Sequence, residues 1–194
     1  MSHKNKGIIL IGPVCVGKST QGRLVSQALN KPLVSLDPIA HKYYEQNGLS
    51  GEELRQSMAE HGFLQTLRQR WWPSVAFAAE QVVYDHPNCV IDFGAGYSHY
   101  EDEALFARVQ KAVAGYGEVV LMLPSPDLDE SVAILKARSM ESRGTDWVRD
   151  GYDFIEHWVK DDCNERLATV TIYTEGKTPE ETCDDILAAI SVGI

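Results

Sequence analysis

The chain is short of positive charge: 18 Lys and Arg stand against 28 Asp and Glu, leaving a formal net charge of −10 at pH 7. That balance excludes nucleic acid as a bulk partner, because such binding is dominated by cationic contacts to phosphate. Long apolar runs are missing as well. None approaches the ~20 residues of a membrane span, so no membrane partner is expected. The four cysteines, Cys15, Cys89, Cys163 and Cys183, form no CxxC pair, and free thiols in a reducing compartment are expected. His41, His61, His86, His99 and His157 lie apart without zinc-motif spacing, and each is expected at the surface or in a hydrogen bond. Internal repeats and low-complexity segments are absent.

What remains is an ordinary globular composition, 44% hydrophobic and 24% charged, in 194 residues. One domain over residues 1–194 is expected, as a monomer or homodimer. The opening MSHKNK is basic but leads straight into an apolar strand, unlike a cleaved signal peptide, and the expected location is cytoplasmic.

The most informative stretch is Gly12 to Thr20, GPVCVGKST, directly after the apolar run Gly7 to Ile11. The pattern G-x-x-x-x-G-K-[ST] between a strand and a helix makes a nest of backbone N–H groups for phosphates, to which the helix dipole adds positive potential. Gly12, Cys15, Val16, Gly17, Lys18, Ser19 and Thr20 are therefore the expected ATP-binding residues, with Lys18 a catalytic cation on the β- and γ-phosphates and Ser19 a Mg²⁺ ligand. Lys18 is expected in a solvent-facing loop. At Cys15 a small residue suffices, although the helix N-terminus and Lys18 both favour a thiolate there.

Apolar spacing predicts a helix over Lys18 to Leu29, a strand at Leu33 to Leu36, and a helix from Ile39 to Gln46. Ser50 opens the next helix, and Phe63 to Tyr84 reads as two helices or one kinked at Pro73. Further strands are expected at Cys89 to Asp92, Glu118 to Leu123 and Ala168 to Tyr173, and helices at Glu101 to Ala114, Asp127 to Met140, Tyr152 to Arg166 and Thr178 to Ile190. Glu141 to Gly151 has loop composition. Strands alternating with helices imply an α/β fold with a five-stranded parallel sheet covered on both faces, ligands sitting at the carboxyl ends of the strands.

Three segments resemble the shikimate kinase family of small P-loop kinases: GKSTQGRLVSQALNKPLVSLD, CVIDFGAGYS and ERLATVTIYTEGKTPEETCDDILAAI. The resemblance implies a three-layer fold with strand order 2-3-1-4-5, a mobile lid at about 138–151, an acceptor-binding helical segment at about 38–86, and Mg-ATP-dependent phosphorylation of a small hydroxylated acid. Several acceptor signatures are altered. Ser35-Leu36-Asp37 keeps one carboxylate of an Asp-x-Asp pair, Gly62-Phe63-Leu64 lacks an arginine, the glycine triplet reads Gly94-Ala95-Gly96, and the Arg-x-Pro-x-Tyr motif is missing. Two arginines that would grip a carboxylate are thus absent, and the acceptor is expected to differ from shikimate.

Asp37, at the rim of the sheet, is the expected catalytic carboxylate for the acceptor hydroxyl, or else the cap of the helix opening at Pro38. Asp92 ends an apolar strand in the manner of an acid that holds Mg²⁺, or is a satisfied strand-end carboxylate. Arg138 and Arg143 suit a lid over the phosphates, because guanidinium forks match phosphate oxygens; each is otherwise a surface charge. The resemblance places Arg138 near adenine or phosphate and Arg143 near the transferred group. Arg68, Trp71, Gly94, Ala95 and Gly96 complete the acceptor-binding set with Asp37, and Trp72 is a further aromatic candidate. A nucleoside or nucleotide kinase shares this loop and lid. So does a regulatory nucleotide-binding module with slow ATP hydrolysis, although the guanine-reading Asn-Lys-x-Asp motif is missing.

Overall fold

The computed structural model describes residues 7–192, so the MSHKNK segment lies outside the described residues. In chain order the elements are β1 (Gly7–Ile11), α1 (Lys18–Leu29), β2 (Leu33–Ser35), a 3₁₀ turn (Asp37–Ile39), α2 (Ala40–Gln46), α3 (Gly51–His61) and α4 (Phe63–Thr66). A π-helical turn (Leu67–Trp71) joins α4 to α5 (Trp72–Asp85), followed by β3 (Val90–Asp92), α6 (Glu103–Val113), β4 (Gly117–Leu123) and α7 (Leu128–Arg143). The chain closes with β5 (Val148–Arg149), β6 (Tyr152–Asp153), α8 (Phe154–Lys160), α9 (Cys163–Leu167), β7 (Val170–Tyr173) and α10 (Pro179–Val192).

The main sheet is parallel and ordered β2-β3-β1-β4-β7, which is the expected 2-3-1-4-5 topology with two short strands intervening in the chain. Because successive strand residues point to opposite faces, β1 feeds two cores. Ile9 and Ile11 pack with α2, α5 and α6, whereas Ile8 and Leu10 pack with Val25, Leu135, Trp158 and Ile186 from the other layer. Leu10 pairs with Asp92 in register, and Ser35 with the same residue, so the carboxyl ends of β1, β2 and β3 meet at one edge.

Local chemistry sets several boundaries. Asn30 takes the left-handed conformation at the end of α1, and Ser50 and Glu53 form a reciprocal capping box on α3. Phe63 to Tyr84 is one helical run, in which the π turn at Leu67–Trp71 directly precedes Trp72 and Pro73, where proline removes a backbone donor.

Two expectations are corrected. Glu141 to Gly151 is not all loop, since α7 runs on to Arg143 and ends at Gly144 in the left-handed region. Tyr152 to Arg166 is not one helix. Its start pairs antiparallel with Val148–Arg149 across Asp150-Gly151, both at positive φ, which is the geometry of a two-residue primed hairpin turn. Asp153 then caps α8, and the extended Asp161 separates α8 from α9.

Candidate active site

The loop after β1 is shaped by what lies beneath it. A β-carbon on Gly12, whose φ is +135°, would stand 2.4 Å from the Met122 carbonyl oxygen of β4, so the close approach of loop and sheet requires glycine. Gly17, also at positive φ, caps α1, and its carbonyl accepts from the amides of Thr20 and Gln21. The Val16 side chain is buried in the core below the loop. Cys15 is half-buried, with Sγ 3.8 Å from the Ser142 hydroxyl of α7.

Lys18 departs from expectation. Its side chain is buried, 7% exposed, and Nζ donates to the carbonyls of Gly12 and Pro13 at 2.8 Å each. The first residue of a helix whose preceding loop folds back over it is covered by that loop. Burial lowers the Lys18 pKa to about 8, against the opposing pull of Asp92 and Asp37. Asp92 is itself buried, which raises its pKa; a hydrogen bond with the Ser19 hydroxyl and the Lys18 charge oppose the rise. Lys18, Ser19 and Asp92 thus form one electrostatic unit.

Asp37 opens the 3₁₀ turn, and the capping position is Leu36, so Asp37 does not serve as the N-cap. The Leu36 amide donates to the Asp92 carbonyl at 3.0 Å, fastening the Asp37 turn to the end of β3. Asp37 is exposed to the cleft and sits against Gly94, the first residue of the Gly94-Ala95-Gly96 loop.

These groups line a cleft of about 1250 Å³ at the carboxyl edge of the sheet. Lys18, Ser19, Asp37, Asp92 and the 94–96 loop line it together with Arg138 and Arg143 from the end of α7. Arg143 is close enough to Lys18 for its charge to help lower the Lys18 pKa, whereas Arg138 pairs with Glu175. Trp71 lines the cleft as well. Trp72 is buried in the core beside His99 and lies outside the cleft wall.

Arg68 is not brought to this wall. Its Nε donates to Glu101 at 2.8 Å, and it lines a separate shallow pocket with Gln69 and Asp150. A residue on the π turn three positions before Trp71 points elsewhere, and its guanidinium is satisfied by the carboxylate available there. The aromatic part of the cleft lining was also missed. Tyr44 and Tyr97 share a 2.5 Å hydroxyl contact, Tyr44 packs against Trp71 with centroids 5.2 Å apart, and the Arg149 guanidinium lies 4.1 Å over the Phe63 ring. Burial raises both phenols, Tyr44 to about 12, so both are neutral at pH 7. The Asp150-Gly151 turn signal was the feature that could have placed Arg149 at the cleft.

No protein-family model matches the chain. It is 28% identical over 189 residues to a shikimate kinase of Marinomonas sp., covering 96% of this chain and 93% of that protein. It is 27% identical over 159 residues to the pentafunctional AROM polypeptide of Zygosaccharomyces rouxii, covering 82% of this chain but spanning only 9% of that much longer polypeptide. Among solved structures, the shikimate kinase from Acinetobacter baumannii in complex with shikimate superposes with a TM-score of 0.65 at 18% identity, over 97% of this chain and 94% of that one. A gluconokinase from Sinorhizobium meliloti superposes with a TM-score of 0.59 at 17% identity, over 96% and 92%. With the loop, strand order and sequence likeness in agreement, the chain is similar in sequence to shikimate kinases and has the fold of the P-loop kinases.

Proposed function

We propose that the protein is a Mg-ATP-dependent kinase that transfers a phosphoryl group to a hydroxyl of a small molecule other than shikimate. The observation that carries this reading is the meeting of Lys18, Ser19, Asp37, Asp92 and Arg143 in one cleft. The residues fit a nucleotide and its metal: a glycine loop at a helix N-terminus for phosphate, and a buried carboxylate next to a serine hydroxyl for the cation. Bound Mg²⁺ would neutralise phosphate oxygens. Lys18 and Arg143 supply fixed positive charge where negative charge builds up in transfer, and such preorganised charge is usually the largest catalytic contribution. Asp37, exposed and not engaged as a cap, orients the acceptor hydroxyl and takes its proton.

Residues 38–86 serve the acceptor, and residues 138–151, which include β5 and the turn of the hairpin, act as the lid. The Tyr44, Phe63, Trp71 and Tyr97 rings favour an acceptor with a ring or apolar face, which keeps a nucleoside kinase as the second reading. An ADP-release screen over hydroxylated acids, sugars, nucleosides and nucleoside monophosphates tests the proposal. Acceptor-stimulated ADP release from one class supports it. Slow ATP hydrolysis that no acceptor accelerates replaces it with a nucleotide-binding regulatory module.

A further inference from the structure

Two residues beyond Tyr97 the chain leaves the cleft and places His99 in the core, 2% exposed, against the junction of α8 and α9. Its Nε2 lies 3.2 Å from the Tyr152 hydroxyl. Its Nδ1 is buried and faces Asp161 Oδ1 at 3.4 Å without completing a hydrogen bond. A buried ring nitrogen left in that state is costly and calls for an explanation. Beside it lies the Cys163 thiol, 3% exposed, with Sγ donating to the Tyr100 carbonyl at 3.4 Å. One ligand atom from each of His99, Asp161 and Cys163 can be chosen so that all lie within 4.8 Å of one another.

We propose that His99 Nδ1, an Asp161 carboxylate oxygen and the Cys163 sulfur bind Zn²⁺, with water in the fourth position. Imidazole, thiolate and carboxylate are the donors this borderline-soft ion takes, and three protein ligands plus water is an established zinc arrangement. Burial lowers the His99 pKa, so the ring is already in the neutral form that ligates. The Tyr152 hydroxyl accepts from Nε2–H and leaves the Nδ1 lone pair for the metal, the outer hydrogen bond that orients a ligating histidine. The Asp161 carboxylate also accepts from the Cys163 amide at 2.8 Å, which fixes the two ligands relative to each other. That capping bond accounts for Asp161 but leaves Nδ1 without a partner.

Cys163 is the group that changes on binding. Burial and the neighbouring Asp161 push the thiol pKa up to about 12, so binding proceeds as thiol plus Zn²⁺ giving Zn-bound thiolate plus one released proton. The ion reaches the site past the Asp161 side chain, which is 29% exposed, and Glu101 and Asp162 add negative potential nearby. Bound metal would clamp the loop that carries Gly94-Ala95-Gly96 to the helices behind the hairpin. The site is independent of the nucleotide reading.

The test is titration of the reduced full chain, without nucleotide, using Co²⁺ as a spectroscopic probe and Zn²⁺ as competitor. The expected result is a thiolate-to-cobalt charge-transfer band that saturates at one equivalent with release of one proton and is bleached by Zn²⁺. Cys163→Ser abolishes the band, and Asp161→Asn, which keeps the thiol and nearly the same shape, weakens Co²⁺ affinity by about tenfold or more. Zn²⁺ raises the Tm of the parent but not of His99→Gln, as a ligand of the folded state alone must. Absence of a band at equimolar Co²⁺ overturns the proposal. So does a band that survives in Cys163→Ser and disappears in Cys15→Ser, which would place the metal at the phosphate loop.

Discussion

The Asp37 carboxylate fills the space that a side chain on Gly94 would need: a β-carbon there would stand 1.9 Å from Asp37 Oδ1 and 2.7 Å from Tyr97 Cε2. The glycine is thus a condition for the position of the acid.

Gly94→Ala is therefore expected to displace the Asp37 carboxylate while leaving the phosphate loop intact. Overpacking of this kind costs about 1–3 kcal/mol. Turnover should fall sharply with nucleotide affinity unchanged, as steady-state kinetics beside calorimetric ATP binding will show. A variant with parental kcat would mean that Asp37 has room to move without consequence.

Lys18→Ala is expected to lower turnover by about 10²- to 10³-fold, the usual cost of losing one transition-state charge donor. Because the Lys18 pKa falls from 10.5 to about 8, the unliganded protein loses this ammonium between about pH 7 and pH 9, and ATP binding should weaken across that window. The contribution of Lys18 to stability has the opposite sign. Above about pH 8 the folded chain sheds a buried charge while the unfolded chain still holds the proton, so stability rises up to about pH 10.5. Urea unfolding of the parent against Lys18→Ala isolates this term, and equal pH slopes would contradict it.

Asp92→Asn and Asp37→Asn should separate metal from acceptor. The first removes a metal-holding charge, so the Mg²⁺ activation curve should move to higher concentration, and it leaves buried Lys18 with less compensation, so thermal stability should fall. The second should leave ATP affinity intact and slow transfer. An unshifted Mg²⁺ curve in Asp92→Asn would return that residue to a structural role.

Shikimate is expected to be a poor acceptor, with kcat/KM below about 10⁵ M⁻¹s⁻¹. Arg149, stacked on Phe63, offers the cleft one guanidinium in place of a gripping pair. Arg149→Ala should raise KM for acidic acceptors and leave it unchanged for neutral ones. Efficient shikimate turnover that survives this substitution would refute both statements.

The phosphate loop, the sheet and α1 were legible because short-range patterns specify them: a glycine spacing, apolar runs and a helix stop at Asn30. Lys18 was placed at the right point of the chain, but its burial was not, since that depends on the loop closing over it. Arg68 and Trp71 looked equivalent in sequence. The π turn and the Glu101 partner, neither visible in composition, send one outside and the other into the cleft. The hairpin was readable at Asp150-Gly151 but was masked by the helical pattern that follows it.

The π turn at Leu67–Trp71 bears on how this cleft can diversify. Trp71, the last residue of the turn, lines the cleft, and the next residue, Trp72, is buried in the core. In a helix each residue advances the facing by about 100°, so deleting one residue from the turn would rotate everything upstream against a fixed α5. A deletion after Leu67 would make Phe63 and Leu67 exchange the cleft for other surroundings in one event, while Trp71, next to α5, keeps its place. Single-residue insertions and deletions at this turn, rather than point substitutions, are the economical route by which this scaffold acquires a new acceptor.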